Sequence, residues 1–252
     1  MFRISLALFA TLLLSRCSQD LDIESFKSKT AEEIFAEGKT AESKKEYTDA
    51  ITIYEELEKL YPYSKLNTDA QLAIADCNYI KKKYDEAASA YEVFIRAHPN
   101  HEKIAYALYM LAMVNYNQIA IVERDQEMTA YASLYFSELC ERFPNSEYTK
   151  DAKNKIKVLR NQKAARETYI AKYYQKRKNY AAAIERLNVV FENFSDTDHA
   201  PEAMSRLIEF YISIGELKEA QIIFSILEQR YPESNWTKDS KILLESRKER
   251  RH

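Results

Sequence analysis

Apolar positions recur in a fixed frame along most of the chain. A small residue stands at one position and a large apolar residue follows four positions later, five times over. The small residues are Ala50, Ala87, Ala132, Ala183 and Ala220, and the large ones are Tyr54, Tyr91, Phe136, Leu187 and Phe224. Residues four apart share one face of a helix, so the small residue admits a neighbouring helix and the large one fills the space beside it. The pattern therefore predicts helices that pack in pairs.

A helix-ending signal follows each of these helices. Four of the five signals are prolines, Pro62, Pro99, Pro144 and Pro232, and Ser195 takes the equivalent place in the remaining one. Proline ends a helix because it lacks the amide donor and disfavours helix in the residue before it. Successive signals are 37, 45, 51 and 37 residues apart. The shortest intervals are close to the tetratricopeptide period of roughly 34 residues, and the longer ones predict lengthened helices or an insertion.

This frame predicts an all-α fold, a superhelical solenoid of five tetratricopeptide-like helix pairs with a C-terminal capping helix. The pairs are expected at about 31–61, 66–98, 102–143, 148–194 and 200–231, and the cap at about 235–249. Thr30 with Glu33, and Thr68 with Gln71, have capping-box spacing and predict helix starts. Because one helix pair cannot bury its apolar face alone, neighbouring pairs have to stack.

Composition narrows the possible functions. The 252 residues include only two glycines, whereas phosphate-cradling loops and nucleophile elbows need glycines at fixed offsets. The 37 basic and 39 acidic residues are interleaved, which leaves no basic footprint for a nucleic acid. No carboxylate pair or histidine group has a spacing that selects it for catalysis or for metal binding. We expect a protein-binding scaffold rather than an enzyme, with no cofactor, no metal and no nucleic-acid partner.

The first residues have the pattern of an export signal. Arg3 precedes an apolar run, Ile4 to Leu14, that is long enough for a signal-peptide core and too short to span a bilayer. Cys17 ends a segment similar to the bacterial lipobox, in which the cysteine becomes the lipidated first residue. We therefore expect a signal peptide at 1–17 and lipidation at Cys17. Arg16 stands where a lipobox has a small residue, so ordinary cleavage nearby and an uncleaved anchor remain alternatives.

The residues after the cysteine bear on location and on domain boundaries. Ser18 is not the aspartate that retains some bacterial lipoproteins in the inner membrane. The expected location is therefore the periplasmic face of the outer membrane, held by palmitate and other lipid without a spanning helix. Residues 18–30 are expected to be a linker, and 31–252 the repeat domain. Cys77 and Cys140 fall among apolar neighbours in predicted helices and are expected to be free thiols.

Tyrosines are the candidates for contact with a partner. The chain has 19 of them, and most are expected to serve the core with their hydroxyls at its edge. Stacked helix pairs leave a concave groove in which aromatic side chains hold an extended or helical peptide. Tyr61, Tyr63 and Tyr79, in the first two repeats, are the predicted peptide-binding patch, with plain packing as the alternative.

Five segments carry a resemblance to a known family. They are Tyr61-Pro62-Tyr63 with Gln71-Leu72, FIRAHP at 94–99, YALYM at 106–110, FPNSEYTKDA at 143–152 and AKYY at 171–174. They resemble the BamD family, the tetratricopeptide lipoproteins of the bacterial outer-membrane β-barrel assembly (BAM) complex. The repeat frame alone is unspecific for function, whereas FPNSEYTKDA followed by a long helix that ends near AKYY is much more specific.

The resemblance implies a non-catalytic subunit that docks on the barrel protein BamA, works beside the other BAM lipoproteins and receives unfolded β-barrel precursors. The family's BamA-contacting arginine matches Arg186, for which a solvated helix position is the alternative. The family's tyrosine before the first repeat-ending proline matches Tyr61. The insertion near Asp125 is short, which leaves its loop contacts open. Another periplasmic tetratricopeptide scaffold, of cell-wall or Tol-Pal function, is the alternative.

Overall fold

The computed structural model of this chain describes residues 23–119 and 127–249. Every regular element within those ranges is helical: one 3₁₀ helix, Ile23–Ser28, and eleven α-helices. No helix in these two ranges is both long enough and apolar enough to cross a membrane. The predicted signal peptide with Cys17, and the insertion near Asp125, lie outside the described residues.

The helices follow one another through short turns. The first four are α1 (Ala31–Ser43), α2 (Tyr47–Leu60), α3 (Lys65–Ile80) and α4 (Tyr84–Ala97). The next four are α5 (Ile104–Gln118), α6 (Glu127–Arg142), α7 (Thr149–Lys176) and α8 (Tyr180–Asn193). The last three are α9 (Ala200–Ile214), α10 (Leu217–Arg230) and α11 (Asn235–Glu249). Taken two at a time they make five helix pairs followed by α11, which confirms the predicted all-α fold of tetratricopeptide-like pairs.

The described residues form two compact units, which are divided after Ala90. The first has its core where α1, α2 and α3 meet, around Ile34, Tyr54 and Leu57. Within the second, a core joins α7 to α11, around Leu187 and Leu207. Each core consists of residues from successive helices, because no single pair covers its own apolar face.

The two columns predicted from the sequence lie in these interiors. All five alanines of the small-residue column are fully buried. Tyr54, Tyr91, Phe136 and Leu187 of the large-residue column are also fully buried, whereas Phe224 packs at the edge of its core and is only partly buried. The columns are therefore confirmed, and the looser packing at Phe224 falls in the last helix pair, next to α11.

The turn within a pair has the same hydrogen bonds in four pairs. In the first pair, the Lys45 and Glu46 amides donate to the carbonyls of Glu42 and Ala41. This motif ends a helix through one residue with a left-handed backbone, for which glycine is the usual choice. That residue is Lys45, Lys82 and Lys178 in three pairs, with φ of 63°, 60° and 60°, and Gly215 in the fifth pair, with φ of 91°. The chain can therefore be poor in glycine because three lysines adopt the strained conformation.

One of the two predicted helix starts is right and the other is wrong. The Thr30 hydroxyl accepts from the Glu33 amide and the Glu33 carboxylate accepts from the Thr30 amide, so the capping box of α1 is confirmed. The start predicted at Thr68 is wrong, because α3 begins at Lys65 with Ser64 as its N-cap. The Ser64 hydroxyl accepts from the Leu66 amide, so the helix is already formed where Thr68 stands.

Candidate functional site

Tyr61 lies where α2 ends and closes the first repeat. Its amide donates to the Leu57 carbonyl at the end of the helix. Its hydroxyl donates to the backbone carbonyl of Lys29, 2.5 Å away and 32 residues earlier. The side chain is half-buried and packs against the core of the first unit. This hydrogen bond joins the turn after α2 to the segment that leads into α1.

The same arrangement recurs in the last repeat of the second unit. Tyr231 lies where α10 ends, and its hydroxyl donates to the backbone carbonyl of Ser195, 36 residues earlier. Both tyrosines are followed by proline and then, two residues later, by the serine next to a new helix. In two repeats of this chain, the tyrosine before the repeat-ending proline therefore stabilises the fold through a hydrogen bond from its hydroxyl.

Tyr63 is placed quite differently from Tyr61. Its side chain is 100% exposed. Tyr61 and Tyr63 line one open cleft of about 430 Å³, together with the first residues of α1. Tyr79 does not line this cleft; it lies half-buried on α3, with its ring edge-on to Tyr84 at 6.1 Å. Of the three tyrosines singled out from the sequence, the structure brings Tyr61 and Tyr63 together and leaves Tyr79 apart.

Arg186 lies on α8 and forms an ion pair with the preceding helix. Its guanidinium donates to the Glu167 carboxylate on α7 at 3.2 Å. The Arg186 side chain is 42% exposed, whereas Glu167 is only 14% exposed. The Arg186 side chain is therefore partly exposed while its guanidinium is held by a carboxylate of α7.

Further ion pairs connect α7 with the elements that follow it. Glu202 on α9 accepts from Lys172 of α7 at 2.5 Å and from Arg206 at 2.9 Å. Burial alone would raise the pKa of Glu202, but the hydrogen bonds from Lys172 and Arg206 outweigh it and hold that pKa below its ordinary value. Nearer the middle of α7, Arg160 binds Asp196 in the turn after α8 and lowers the pKa of that carboxyl.

A second cleft, of about 670 Å³, lies beside the first residues of α5. It is lined from one side by Glu102, Lys103 and Tyr106, and from the other by Arg142 to Tyr148 in the turn between α6 and α7. Tyr148 packs against Tyr106 at 5.7 Å and stacks on Tyr109 at 5.1 Å between ring centres. The segments FPNSEYTKDA and YALYM are separate in the sequence, and only the structure brings them to one cleft. Only their shared aromatic content pointed to it.

The two thiols do not suggest nucleophilic chemistry, although only Cys77 is fully buried and Cys140 is half-buried. Cys77 and Cys140 are both free, as predicted. Burial raises the pKa of the Cys77 thiol to about 12, so it stays protonated at neutral pH. In the part of the chain that the structure describes, no group of His, Cys, Asp and Glu side chains has the geometry to hold a metal ion. The described surface has open clefts with aromatic and charged side chains along their rims.

Comparison with known proteins adds an independent observation. The profile of the family YfiO, described as outer membrane lipoprotein, matches residues 27–222. The outer membrane protein assembly factor BamD of Rickettsia prowazekii is 32% identical over 233 residues, which is 92% of each chain. The chain belongs to the BamD family. The BamD of Caulobacter vibrioides is 31% identical over 219 residues, which is 87% of this chain and 72% of that protein.

The BamD match confirms the resemblance carried by the five segments. It covers the part of the chain that contains both clefts, Arg186 and all of α7. Among solved structures, a tetratricopeptide protein of Thermus thermophilus aligns with 86% of this chain at 15% identity and a TM-score of 0.41, too loose a likeness to bear on function.

Proposed function

We propose that this chain is a non-catalytic subunit of the outer-membrane β-barrel assembly machinery, in which it binds BamA and receives unfolded β-barrel precursors. The observation that carries the proposal is a match over 92% of both chains to a protein named as an outer membrane protein assembly factor. The helix pairs of tetratricopeptide type support it, because such pairs present grooves for extended or helical polypeptide. The first test is co-purification of BamA with the tagged chain from solubilised outer membrane, and repeated absence of BamA would contradict the proposal.

The proposed location is the periplasmic face of the outer membrane, with lipid on Cys17 as the anchor. The support is the lipobox-like segment before Cys17 and the description of the matched family as outer membrane lipoprotein. Labelling of cells with palmitate should mark the chain and should fail for Cys17→Ala. If the variant is labelled equally, the anchor lies elsewhere.

Arg186 is the proposed contact to BamA, and its ion pair with Glu167 determines how to test it. Arg186→Ala removes both the contact and the ion pair, whereas Glu167→Gln removes only the ion pair and leaves the cation in place. We expect Arg186→Ala to reduce recovery of BamA by about tenfold, the loss of one well-placed contact. Glu167→Gln should leave recovery unchanged or higher, because the guanidinium is then free to reach a partner.

Arg230 offers a matched control for this experiment. It is an exposed arginine in the same unit, on α10. Arg230→Ala should not change recovery of BamA. If Arg186→Ala and Glu167→Gln both lower thermal stability equally and both leave BamA recovery intact, Arg186 serves the α7–α8 packing and not the partner.

The cleft lined by Tyr61 and Tyr63 is the proposed site for precursor segments. Tyr63 is the better placed of the two for direct contact, because its side chain is wholly exposed and the Tyr61 hydroxyl is engaged with Lys29. A photo-reactive residue at position 63 should cross-link to an unfolded β-barrel precursor in cells, and one at position 79 should do so much less. Equal cross-linking from positions 63 and 79 would contradict the division that the cleft suggests.

A further inference from the structure

The long helix α7 is strongly basic in a chain that is nearly neutral. Its 28 residues include nine Lys and Arg and two Asp and Glu, whereas the net charge of the whole chain is −2. Both halves of the helix share the excess, and it continues into the turn after Lys176. Residues 163–178 contain six basic residues, Lys163, Arg166, Lys172, Lys176, Arg177 and Lys178, and one acidic residue, Glu167. Glu167 is paired with Arg186, and Lys172 is paired with Glu202 of α9. The other basic residues give the end of α7 and the turn after it a net positive charge.

The buried face of α7 changes direction along the helix. In the first half, where α6 packs against α7, Ala152 and Leu159 are fully buried. In the second half, the buried residues are Ala164, Thr168 and Ala171. At 3.6 residues per turn, these two sets point in directions that differ by roughly 120°. The direction in which Ala152 and Leu159 point is therefore no longer the centre of the packed face in the second half.

Two exposed aromatic side chains lie along one edge of the face that continues from Ala152 and Leu159. Tyr173 lies fourteen residues after Leu159, which at about 20° of drift per seven residues keeps it on nearly the same face. Tyr173 is 46% exposed and Tyr169, one turn earlier, is 73% exposed. The Arg177 guanidinium lies over the Tyr173 ring at 4.5 Å from the ring centre. We call Tyr169, Tyr173 and Arg177 the α7 stripe.

The α7 stripe has the chemistry of a protein contact. Tyrosine and arginine are the residue types that most often dominate the energy of protein interfaces. The stripe holds two flat, rigid rings one turn apart, and the exposed Lys176 and Arg177 provide donors for carboxylates. It lies roughly 120° around α7 from Glu167, the residue that binds Arg186. The stripe is therefore a surface separate from the proposed Arg186 contact.

We infer that the α7 stripe is a docking site for an acidic segment of a partner protein. Carboxylates of that segment pair with Arg177 and Lys176, and an apolar side chain lies against the rings of Tyr169 and Tyr173. A polypeptide fits better than a membrane surface, because the stripe is one helix face wide and its apolar part consists of two tyrosines. A helix that lies in a membrane interface has a broad face that inserts, rich in Leu, Phe or Trp. The inference does not depend on BamA being the partner.

Photo-cross-linking in cells tests the inference on the full chain. Benzoylphenylalanine is placed at position 169 or 173, and the attached peptide is identified by mass spectrometry. Position 131 is the matched control that measures background cross-linking, because Tyr131 is a 40% exposed tyrosine of the same unit, on α6. We expect cross-links at 169 and 173, above the yield at 131, to one protein segment in which Asp and Glu outnumber Lys and Arg.

Charge reversal distinguishes binding at the α7 stripe from non-specific electrostatic attraction to α7. Arg177→Glu should reduce the cross-link from position 169 by about tenfold, since it replaces attraction by repulsion at the contact. Lys157→Glu makes the same change at an exposed lysine in the first half of α7 and should leave the yield unchanged. Circular dichroism of both variants checks that helical content is retained.

Three outcomes would overturn the inference. The first is a yield at 169 and 173 no higher than at 131, and the second is a cross-linked segment without excess negative charge. The third is a membrane role, tested with purified chain and vesicles of phosphatidylglycerol and phosphatidylethanolamine. Co-sedimentation that Tyr169→Ala and Tyr173→Ala abolish would assign the stripe to lipid. Loss of the Arg186 contact to BamA would change none of these results, so the two proposals fail independently.

Discussion

The pair α1–α2 and the group α7–α9 are held together by different kinds of contact. In the pair, Gly38 on α1 faces the ring of Tyr54 so closely that a Cβ atom there would lie 2.3 Å from a ring carbon. The Tyr54 ring is fully buried, and its hydroxyl donates to Glu42 at 2.7 Å. In α7–α9, alanines bring the helices together, and ion pairs of Arg186 with Glu167 and of Lys172 with Glu202 cross between them.

This difference predicts two kinds of sensitivity. A close contact between a glycine and an aromatic ring leaves no room for an added atom, since protein interiors are packed as densely as organic crystals. Ion pairs near the surface tolerate changes in volume but respond to a change in charge or pH. The first repeat should therefore be disturbed most by added volume, and the fourth and fifth repeats by lost charge.

The largest expected effect is that of Gly38→Ala. The added methyl group collides with Tyr54, and overpacking of this kind costs about 1–3 kcal/mol even after the better helix propensity of alanine. Urea unfolding followed by circular dichroism measures the loss. In a Tyr54→Leu background the same substitution should cost little or stabilise, because the ring is gone. Equal costs in both backgrounds would show that Tyr54 is not the obstacle.

Glu202→Gln tests the ion pairs in the group α7–α9 and should have the next largest effect on stability. It removes a carboxylate that accepts from two cations, at a cost of about 1–2 kcal/mol at pH 7. The folded pKa of Glu202 lies below its ordinary value of 4.5. The stability from this carboxylate is therefore fully present above pH 4.5 and is lost as pH falls through the folded pKa. Unfolding free energies of the two proteins should converge between pH 7 and pH 3, and a constant gap would contradict the assignment.

Tyr61 and Tyr231 occupy equivalent positions in the two units, so the same substitution at each allows the units to be compared. Tyr61→Phe and Tyr231→Phe each remove a hydroxyl that donates to a backbone carbonyl, and each should cost about 0.5–1.5 kcal/mol. Tyr63→Phe is the matched control, since its side chain is fully exposed, and it should not change the midpoint of thermal unfolding. If Tyr61→Phe behaves like Tyr63→Phe, the hydrogen bond to Lys29 contributes nothing.

The smallest expected effect is a gain in stability at a turn. Lys178 has φ of 60°, which costs a residue with a side chain about 1 kcal/mol relative to glycine. Lys178→Gly should stabilise by about 0.5 kcal/mol once the greater freedom of unfolded glycine is subtracted. Gly215→Ala is the reverse change at the equivalent place in the fifth pair, with open space around its Cβ, and should destabilise. A loss of stability for Lys178→Gly would contradict the conclusion that the left-handed lysines are strained.

The repeat frame was sufficient to predict the helices and much of their packing. Ala50, Ala183 and Tyr54 were assigned to the interior from spacing alone, because the period of a helix is a local property of the sequence. Capping-box spacing was not sufficient at Thr68, because Ser64, directly before Lys65, caps the helix first. The repeat frame also gave no sign of the left-handed lysines, because lysine carries no marker of that backbone conformation.

The candidate sites were predictable as residues but not as surfaces. The chain by itself determined that it is built of helix pairs and that its motifs are those of the BamD family, and it predicted that Tyr61 and Arg186 occupy the matched positions. Only the tertiary structure decided that the Tyr61 hydroxyl is engaged, that Glu167 holds Arg186, and that Tyr169 and Tyr173 are exposed on α7. The two contacts join residues 19 and 32 positions apart in the chain. They depend on how each helix is rotated against its neighbours, and that rotation is set by the packing of the whole repeat rather than by any local pattern.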